Sequence, residues 1–232
     1  GGILEYDSIF QTYRLPAEYA ALLLQRSGSH AYASSVQWVS LSAKLEDEIV
    51  NCFREGGPLP SDLFTRLQSQ LIEDNSVSIM NGLFKHVFPL VPRLIMQLCE
   101  GRDVLQLGCG SGSTLIELAR TFPASQFVGY DSCATLIDNA RATARQKQVD
   151  NVTFLRCELT EIHTTESFDL VLALDILQDQ AQPHCVLEQV LTVLRPEGTF
   201  LMQDLARSRN RELNLQHPLA GLLYSLSCVR KM

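Results

Sequence analysis

Asp103-Val-Leu-Gln-Leu-Gly-Cys-Gly-Ser-Gly-Ser-Thr-Leu-Ile-Glu-Leu118 decides how this 232-residue chain is read. A short apolar run (Val104, Leu105, Leu107) stops at Gly108-Cys109-Gly110-Ser111-Gly112. Leu115, Leu118, Ala119 and Phe122 then recur at i, i+3, i+4, i+7, the spacing of one helix face. Strand, glycine turn and helix open a βαβ unit. Glycine suits a bend where the backbone turns sharply and comes close to a ligand, since no Cβ intervenes. The free N–H groups at the start of the next helix favour an anionic group.

The same alternation continues downstream. The pattern predicts strand 103–107, helix 113–122, strand 126–130, helix 133–148, strands 152–156 and 168–174, helix 183–194 and strand 198–202. Leu170-Val-Leu-Ala-Leu174 is a continuous apolar run, as expected of a strand covered on both faces. The fold class is α/β, a doubly wound, Rossmann-like, mainly parallel sheet with crossover helices. Ligands in such sheets bind at the carboxyl ends of the strands. That rule selects Gly108, Gly110 and Gly112, then Asp131 with Ser132 beside it, then Cys157-Glu158, then Asp175.

Each position has a plain structural reading too. Many strand-to-helix turns carry glycine without a ligand. Asp131 ends its strand about 20 residues after the glycine turn, where a carboxylate accepts from ribose hydroxyls; it equally suits the N-cap of helix 133–148. Glu158 fits an adenine edge or a cofactor amine, and fits an exposed loop acid as well. Asp175 closes its strand where a substrate would lie, or makes a local turn bond. His163 and His184 read as surface residues.

Val104-Leu-Gln-Leu-Gly-Cys-Gly-Ser-Gly112 resembles the first motif of the class I S-adenosylmethionine-dependent methyltransferases. Gly129-Tyr-Asp131 resembles their second motif, Phe168-Asp-Leu-Val-Leu-Ala-Leu-Asp175 their fourth, and Leu194-Arg-Pro-Glu-Gly-Thr-Phe-Leu-Met202 the loop and strand beyond it. A nicotinamide fold would want Gly-x-Gly-x-x-Gly, but residue 113 is Ser. The resemblance implies S-adenosyl-L-methionine as cofactor. Gly108, Gly110 and Gly112 would lie at its methionine end, Asp131 at the ribose and Glu158 at the adenine region. Backbone carbonyls near Leu107 and Asp175 would face the ammonium or the substrate. Gln106 stands where the family usually has an acid, and Gln178-Asp179 where one branch often has His-Asp. Asp175 and Asp179 are then the candidate catalytic bases. The implied reaction is methyl transfer to an acceptor, a small molecule in preference to nucleic acid; the alternative is a truncated, catalytically weak protein of the same fold that binds cofactor or a partner.

The resembling branch carries an N-terminal winged helix, and residues 1–16 are expected to be a remnant of its hairpin. Residues 17–100 read as a helical cap or linker, with Phe84 to Leu90 as the expected lip of the pocket, and 101–232 as the cofactor-binding domain. Gly1-Gly2 opens the sequence without an initiator Met, and five of the family's seven strands are legible, so the chain reads as clipped at both ends. Strand 198–202 is then an unpaired edge, open to aggregation or to a homodimer. Leu219, Leu222, Leu223 and Leu226 predict a last helix, and Arg207, Arg209, Arg211, Arg230 and Lys231 a solvated basic tail.

Composition narrows the class. At 46% hydrophobic the chain can bury a sizeable core, and its net charge of −7 argues against broad nucleic-acid binding. Seven cysteines without a Cys-x-x-Cys pair, and five histidines without ligand spacing, predict reduced thiols, no metal and a cytoplasmic setting. No apolar run approaches the roughly 18 residues of a membrane span.

Overall fold

A computed structural model describes residues 3–23, 43, 46–56, 80–163, 167–204 and 211–215. Much of the helical segment expected over 17–100, the leucine pattern at 219–226 and most of the basic tail lie outside these residues.

The chain opens with the expected hairpin. Strands β1 (Glu5–Asp7) and β2 (Thr12–Arg14) pair antiparallel, Tyr6 opposite Tyr13 with ring centroids 5.0 Å apart. The Asp7 carboxylate accepts the N–H groups of Ile9 and Phe10 and so closes the turn, at 2.9 and 3.1 Å. Every residue of both strands is exposed. Helices α1 (Ala17–Leu23) and α2 (Glu46–Glu55) follow. A π-helical turn, Leu83–Val87, runs into a 3-10 turn at Phe88–Leu90, and α3 (Leu94–Glu100) begins after the break at Pro89 and Pro92.

The α/β part comprises β3 (Asp103–Leu107), α4 (Ser113–Thr121), β4 (Gln126–Asp131), α5 (Ala134–Gln146), β5 (Val152–Arg156), β6 (Phe168–Leu174), α6 (Pro183–Val193) and β7 (Leu194–Gln203). A short helix, α7 (Arg211–Leu215), is the last described element. The sheet order is β5-β4-β3-β6-β7, and all four pairings are parallel. The order reverses beside β3, so the switch point lies between β3 and β6.

Alternation along the strands divides the core by sheet face. Val104, Phe127, Phe154, Leu170 and Leu172 pack with Leu98 of α3, Leu115 and Leu118 of α4, and Ile137 and Ala140 of α5. Leu105, Leu107, Tyr130, Val171 and Ala173 point the other way, toward Val186, Val190 and Val193 of α6. Gln106 therefore lies on the α4/α5 face, in register with Gly129 and Leu172. At the amino edge of the sheet, Asn151 donates to the carbonyls of Ala119, Phe122 and Ser125, satisfying acceptors that the end of α4 leaves over.

β7 differs from its sequence reading. The expected loop before residue 198 is drawn into an irregular strand: Leu194 pairs with Phe168, yet Thr199 pairs with Leu170. Residues 195–198 bulge out opposite Asp169. The bulge puts the Arg195 guanidinium at the amino edge, 2.8 Å from Asp169 Oδ2 and 2.8 Å from Asp103 Oδ2. One arginine thus ties β7 to β6 and β3.

The lip expectation does not hold for the two phenylalanines. The Phe84 ring stacks on Phe122 at 5.9 Å and meets Phe88 edge-on at 5.1 Å. Phe122 caps the far end of α4, just before β4 begins, which is the edge opposite the glycine turn. Phe88 is fully buried. Hydrophobic burial holds these rings in the core rather than beside a ligand.

Candidate functional site

β3 delivers the chain to the carboxyl edge at Leu107, and residues 108–112 turn it into α4. Gly108, Gly110 and Gly112 all have positive φ, 62°, 55° and 75°. Two of them are tight for reasons internal to the protein. A Cβ on Gly112 would come 2.5 Å from Phe154 Cζ and 2.9 Å from Ala140 Cβ, and one on Gly108 would collide with the Ile176 side chain. Gly129, in the middle of β4, is closed in the same way by Phe154 and by Cys109 of the turn, whose sulfur would be 2.8 Å from its Cβ. Close packing therefore demands glycine at 108, 112 and 129.

The turn is pinned to the end of β4. Cys109 N–H donates to the Tyr130 carbonyl at 3.0 Å, and Gly110 N–H to Asp131 Oδ2 at 2.9 Å. The other oxygen of Asp131, Oδ1, accepts the N–H of Cys133 at 2.9 Å. Asp131 is not the N-cap of α5: that residue is Cys133, which has no side-chain cap bond, and the second Asp131 bond ties down the backbone just before the helix instead. A carboxylate has about four lone-pair sites, so two acceptor sites remain for ligand hydroxyls. Cys109 is buried. Desolvation pushes its thiol far above the ordinary range, and the Asp131 charge adds to the shift.

The remaining expected residues line the same edge. Cys157 N–H donates to the Asp131 carbonyl at 3.0 Å, which leaves Glu158 exposed one residue beyond. Ser132 is exposed, and its carbonyl accepts from Arg156 Nε at 3.0 Å. The Leu107 side chain is core, so only its backbone faces outward. Asp175 sits just past β6 with φ 53°, a left-handed backbone that non-glycine residues seldom adopt, and its N–H donates to the Gln203 carbonyl at 2.8 Å. Asp179 ends the 3-10 turn Leu177–Asp179. His163 and His184 are exposed, as expected.

Gln106 is 4% exposed, and its Oε1 has no hydrogen-bond partner among the described residues. Buried acceptors are normally paired. An orphaned acceptor two residues before the glycine turn, with a carboxylate already at that turn, fits a ligand carrying an N–H donor and a diol. Those are the groups on the amino-acid arm and ribose of S-adenosyl-L-methionine.

Residues 99–225 match a protein family described as a methyltransferase domain. The chain belongs to that family. The chain is similar to the (S)-coclaurine N-methyltransferase of Papaver somniferum, 25% identical over 109 residues that make up 47% of this chain and 31% of the relative. It is similar too to the tRNA 5-carboxymethoxyuridine methyltransferase of Escherichia coli K12, 36% identical over 100 residues, 42% of this chain and 38% of the relative. The matched segment spans about a third of the length of these two relatives. A crystal structure of a putative sarcosine dimethylglycine methyltransferase from Galdieria sulphuraria superposes with TM-score 0.50 at 20% identity, over 57% of this chain and 47% of that one. That likeness concerns the fold alone. The class is the S-adenosylmethionine-dependent class I, and S-adenosyl-L-methionine is its cofactor.

The packing partners of the site carry no signal in the sequence motifs. Ile176 rests on Gly108, and Phe154 on both Gly112 and Gly129. Asp204 accepts the N–H of Gln178 at 2.9 Å and so ties the turn that carries Asp179 to the end of β7. A glycine inside strand β4 was the one signal available, since such glycines mark a close approach. Asp204 belongs to no motif. Among the described residues no group of His, Cys, Asp or Glu could hold a metal, and no helix is long and apolar enough to cross a membrane.

Proposed function

We propose that this methyltransferase transfers the sulfonium methyl of S-adenosyl-L-methionine to an oxygen, nitrogen or carbon nucleophile of a small molecule. The contact between Gly110 N–H and the Asp131 carboxylate carries the reading. It holds glycine turn and acid in one frame before any ligand arrives, and a preformed frame lowers the ordering cost of binding.

In this reading Asp131 accepts the ribose hydroxyls on its remaining lone pairs, with Ser132 alongside, and Glu158 stands at the adenine end. Gln106, the backbone at Leu107 and the turn Gly108, Gly110 and Gly112 receive the amino-acid arm. The cofactor supplies an electrophilic methyl; the chain has to hold a nucleophile in line with it, and positioning of that kind accounts for much of such a rate. Asp175 and Asp179 stand at the acceptor side. Either serves as base where the nucleophile must lose a proton.

The acceptor class rests on charge. The two named relatives act on unlike acceptors, so the family leaves that choice open. A polyanionic acceptor needs a basic face to gain affinity from counterion release, and a chain of net charge −7 is poorly supplied with one. The scattered cysteines support a cytoplasmic setting. Residues 1–16 and 17–100 are read as a hairpin from a neighbouring domain and a helical linker.

Calorimetric titration tests the cofactor reading: heat with S-adenosylhomocysteine and none with NAD is expected. No heat with S-adenosylhomocysteine removes the proposal. Methyl-labelled cofactor incubated with a low-mass metabolite extract and with total tRNA tests the acceptor; label in the tRNA alone would reverse the acceptor class.

A further inference from the structure

The turn that follows β6 is strained, and Asp204 holds its far end. Asp175 opens the turn with φ 53°. A non-glycine residue keeps a left-handed backbone only where its surroundings hold it there. Three contacts do so. Asp175 N–H donates to the Gln203 carbonyl at 2.8 Å, one residue past the end of β6. The Ile176 side chain lies on Gly108, where an added Cβ would collide with it. Gln178 N–H donates to Asp204 Oδ2 at 2.9 Å, across 26 positions of sequence. The first bond prolongs the sheet by one step. The second contact is apolar and has little directionality. The Asp204 bond fixes where the turn ends, and a carboxylate acceptor makes it stronger than a bond between neutral groups. Asp204 is half-buried, which shields that bond from competing water.

We propose that Asp204 is a positioning residue for methyl transfer: by holding the Gln178 N–H it keeps the turn Asp175–Gln178 seated on Gly108, and so fixes the acceptor-side wall before a substrate arrives. The inference rests on the placement of Asp175 at the acceptor side and goes beyond it. A residue at the end of β7, acting through the turn, governs what stands opposite the transferred methyl. Without the bond, Asp175 relaxes toward an ordinary backbone in part of the population. Apparent affinity for a group at that place then falls with the fraction of molecules that still present the wall.

Sinefungin reads that place without a known acceptor. It shares the adenosine and the amino-acid arm of S-adenosylhomocysteine, but carries an amine where the cofactor carries the transferred methyl. Both ligands are titrated by calorimetry into the full chain, into Asp204→Ala and into Asp204→Asn. Asp204→Ala removes the acceptor; Asp204→Asn keeps an oxygen at the same place. In Asp204→Ala, sinefungin should weaken about fivefold or more, part of the effect of one hydrogen bond to a charged group. S-adenosylhomocysteine has nothing at that position and should weaken less than about twofold, whereas Asp204→Asn should bring sinefungin back to within about twofold of the natural protein. Amide hydrogen exchange on the natural protein should show the Gln178 N–H protected, a measurement that needs no variant to fold. Equal weakening of both ligands in Asp204→Ala marks general support of the fold, and the inference falls. It falls also if sinefungin affinity is unchanged, if Asp204→Asn behaves as Asp204→Ala does, or if the Gln178 amide exchanges as in an open chain. A natural protein that binds neither ligand removes the cofactor reading itself, whereas binding of both with an indifferent Asp204 removes only this assignment.

Discussion

Gly112→Ala separates packing from ligand contact at the glycine turn. Gly112 has φ 75°, and an added Cβ would stand 2.5 Å from Phe154 Cζ and 2.9 Å from Ala140 Cβ. Phe154 is 2% exposed and Ala140 is fully buried, so neither can swing into solvent. An L-residue in the left-handed region costs about 1–2 kcal/mol. Overpacking a filled core adds about 1–3 kcal/mol. The lower entropy of the unfolded alanine chain returns about 0.4–1 kcal/mol. The net is a loss of about 1–5 kcal/mol, centred near 3. Urea unfolding followed by circular dichroism measures it, with the slope checked for two-state behaviour. The decisive comparison adds Phe154→Leu. If the ring is the obstacle, the double variant recovers the overpacking part, about 1–3 kcal/mol, and the two changes are non-additive. Strict additivity, or a loss below about 0.5 kcal/mol for Gly112→Ala, would refute the packing account and return Gly112 to the ligand alone.

Asp131→Ala should weaken S-adenosylhomocysteine at least about tenfold by calorimetry, because a carboxylate hydrogen bond is worth about 1.5–3 kcal/mol; unchanged affinity would end the ribose assignment. It should also lower stability, since it strips the acceptor from Gly110 and Cys133 N–H. Arg195→Met should cost under about 1 kcal/mol despite losing two ion pairs, as its side chain is 38% exposed and the pairs are screened; the loss should shrink in 1 M salt, and a larger, salt-independent loss would contradict a surface clamp. Burial raises the folded-state pKa of the Cys109 thiol, so above about pH 8.5 the unfolded chain releases a proton that the folded one keeps, and stability falls with pH by up to about 1.4 kcal/mol per unit. Below the unfolded value the contribution is fully present. Cys109→Ala should flatten that alkaline slope in reducing buffer. Native-state alkylation read by mass spectrometry should label exposed Cys99 well ahead of Cys109.

Much of the α/β part was legible because its signals are local and periodic. Strand β3, the glycine turn and α4 follow from one contiguous run, and β5 and β6 match their expected spans residue for residue. The apolar run Leu170–Leu174 announces a strand covered on both faces, and β6 indeed buries Leu170 and Leu172 in the core on one face and Val171 and Ala173 in the core on the other. What stayed hidden depends on residues far apart in sequence. Nothing near Gly112 says that Phe154 lies across it. The pairing of Asp204 with Gln178, and of Arg195 with Asp103 over 92 positions, needs the sheet order first. Phe84 was misread for the same reason: its amphipathic surroundings are equally good as pocket wall or core, and only Phe122 decides. The winged-helix origin of the opening hairpin rests on resemblance alone.

All four pairings in the large sheet are parallel, and that affects how the protein is made as well as what it does. No two of these strands can meet through a tight turn; β3 waits for β6 until some sixty residues later, at Phe168. Loop closure has to precede most of the stabilising contacts, which places assembly in about the millisecond-to-second range rather than microseconds. During that interval the uncharged stretch Leu170–Leu174 is exposed on a nascent chain. Yield on expression should therefore respond to temperature and to chaperone supply.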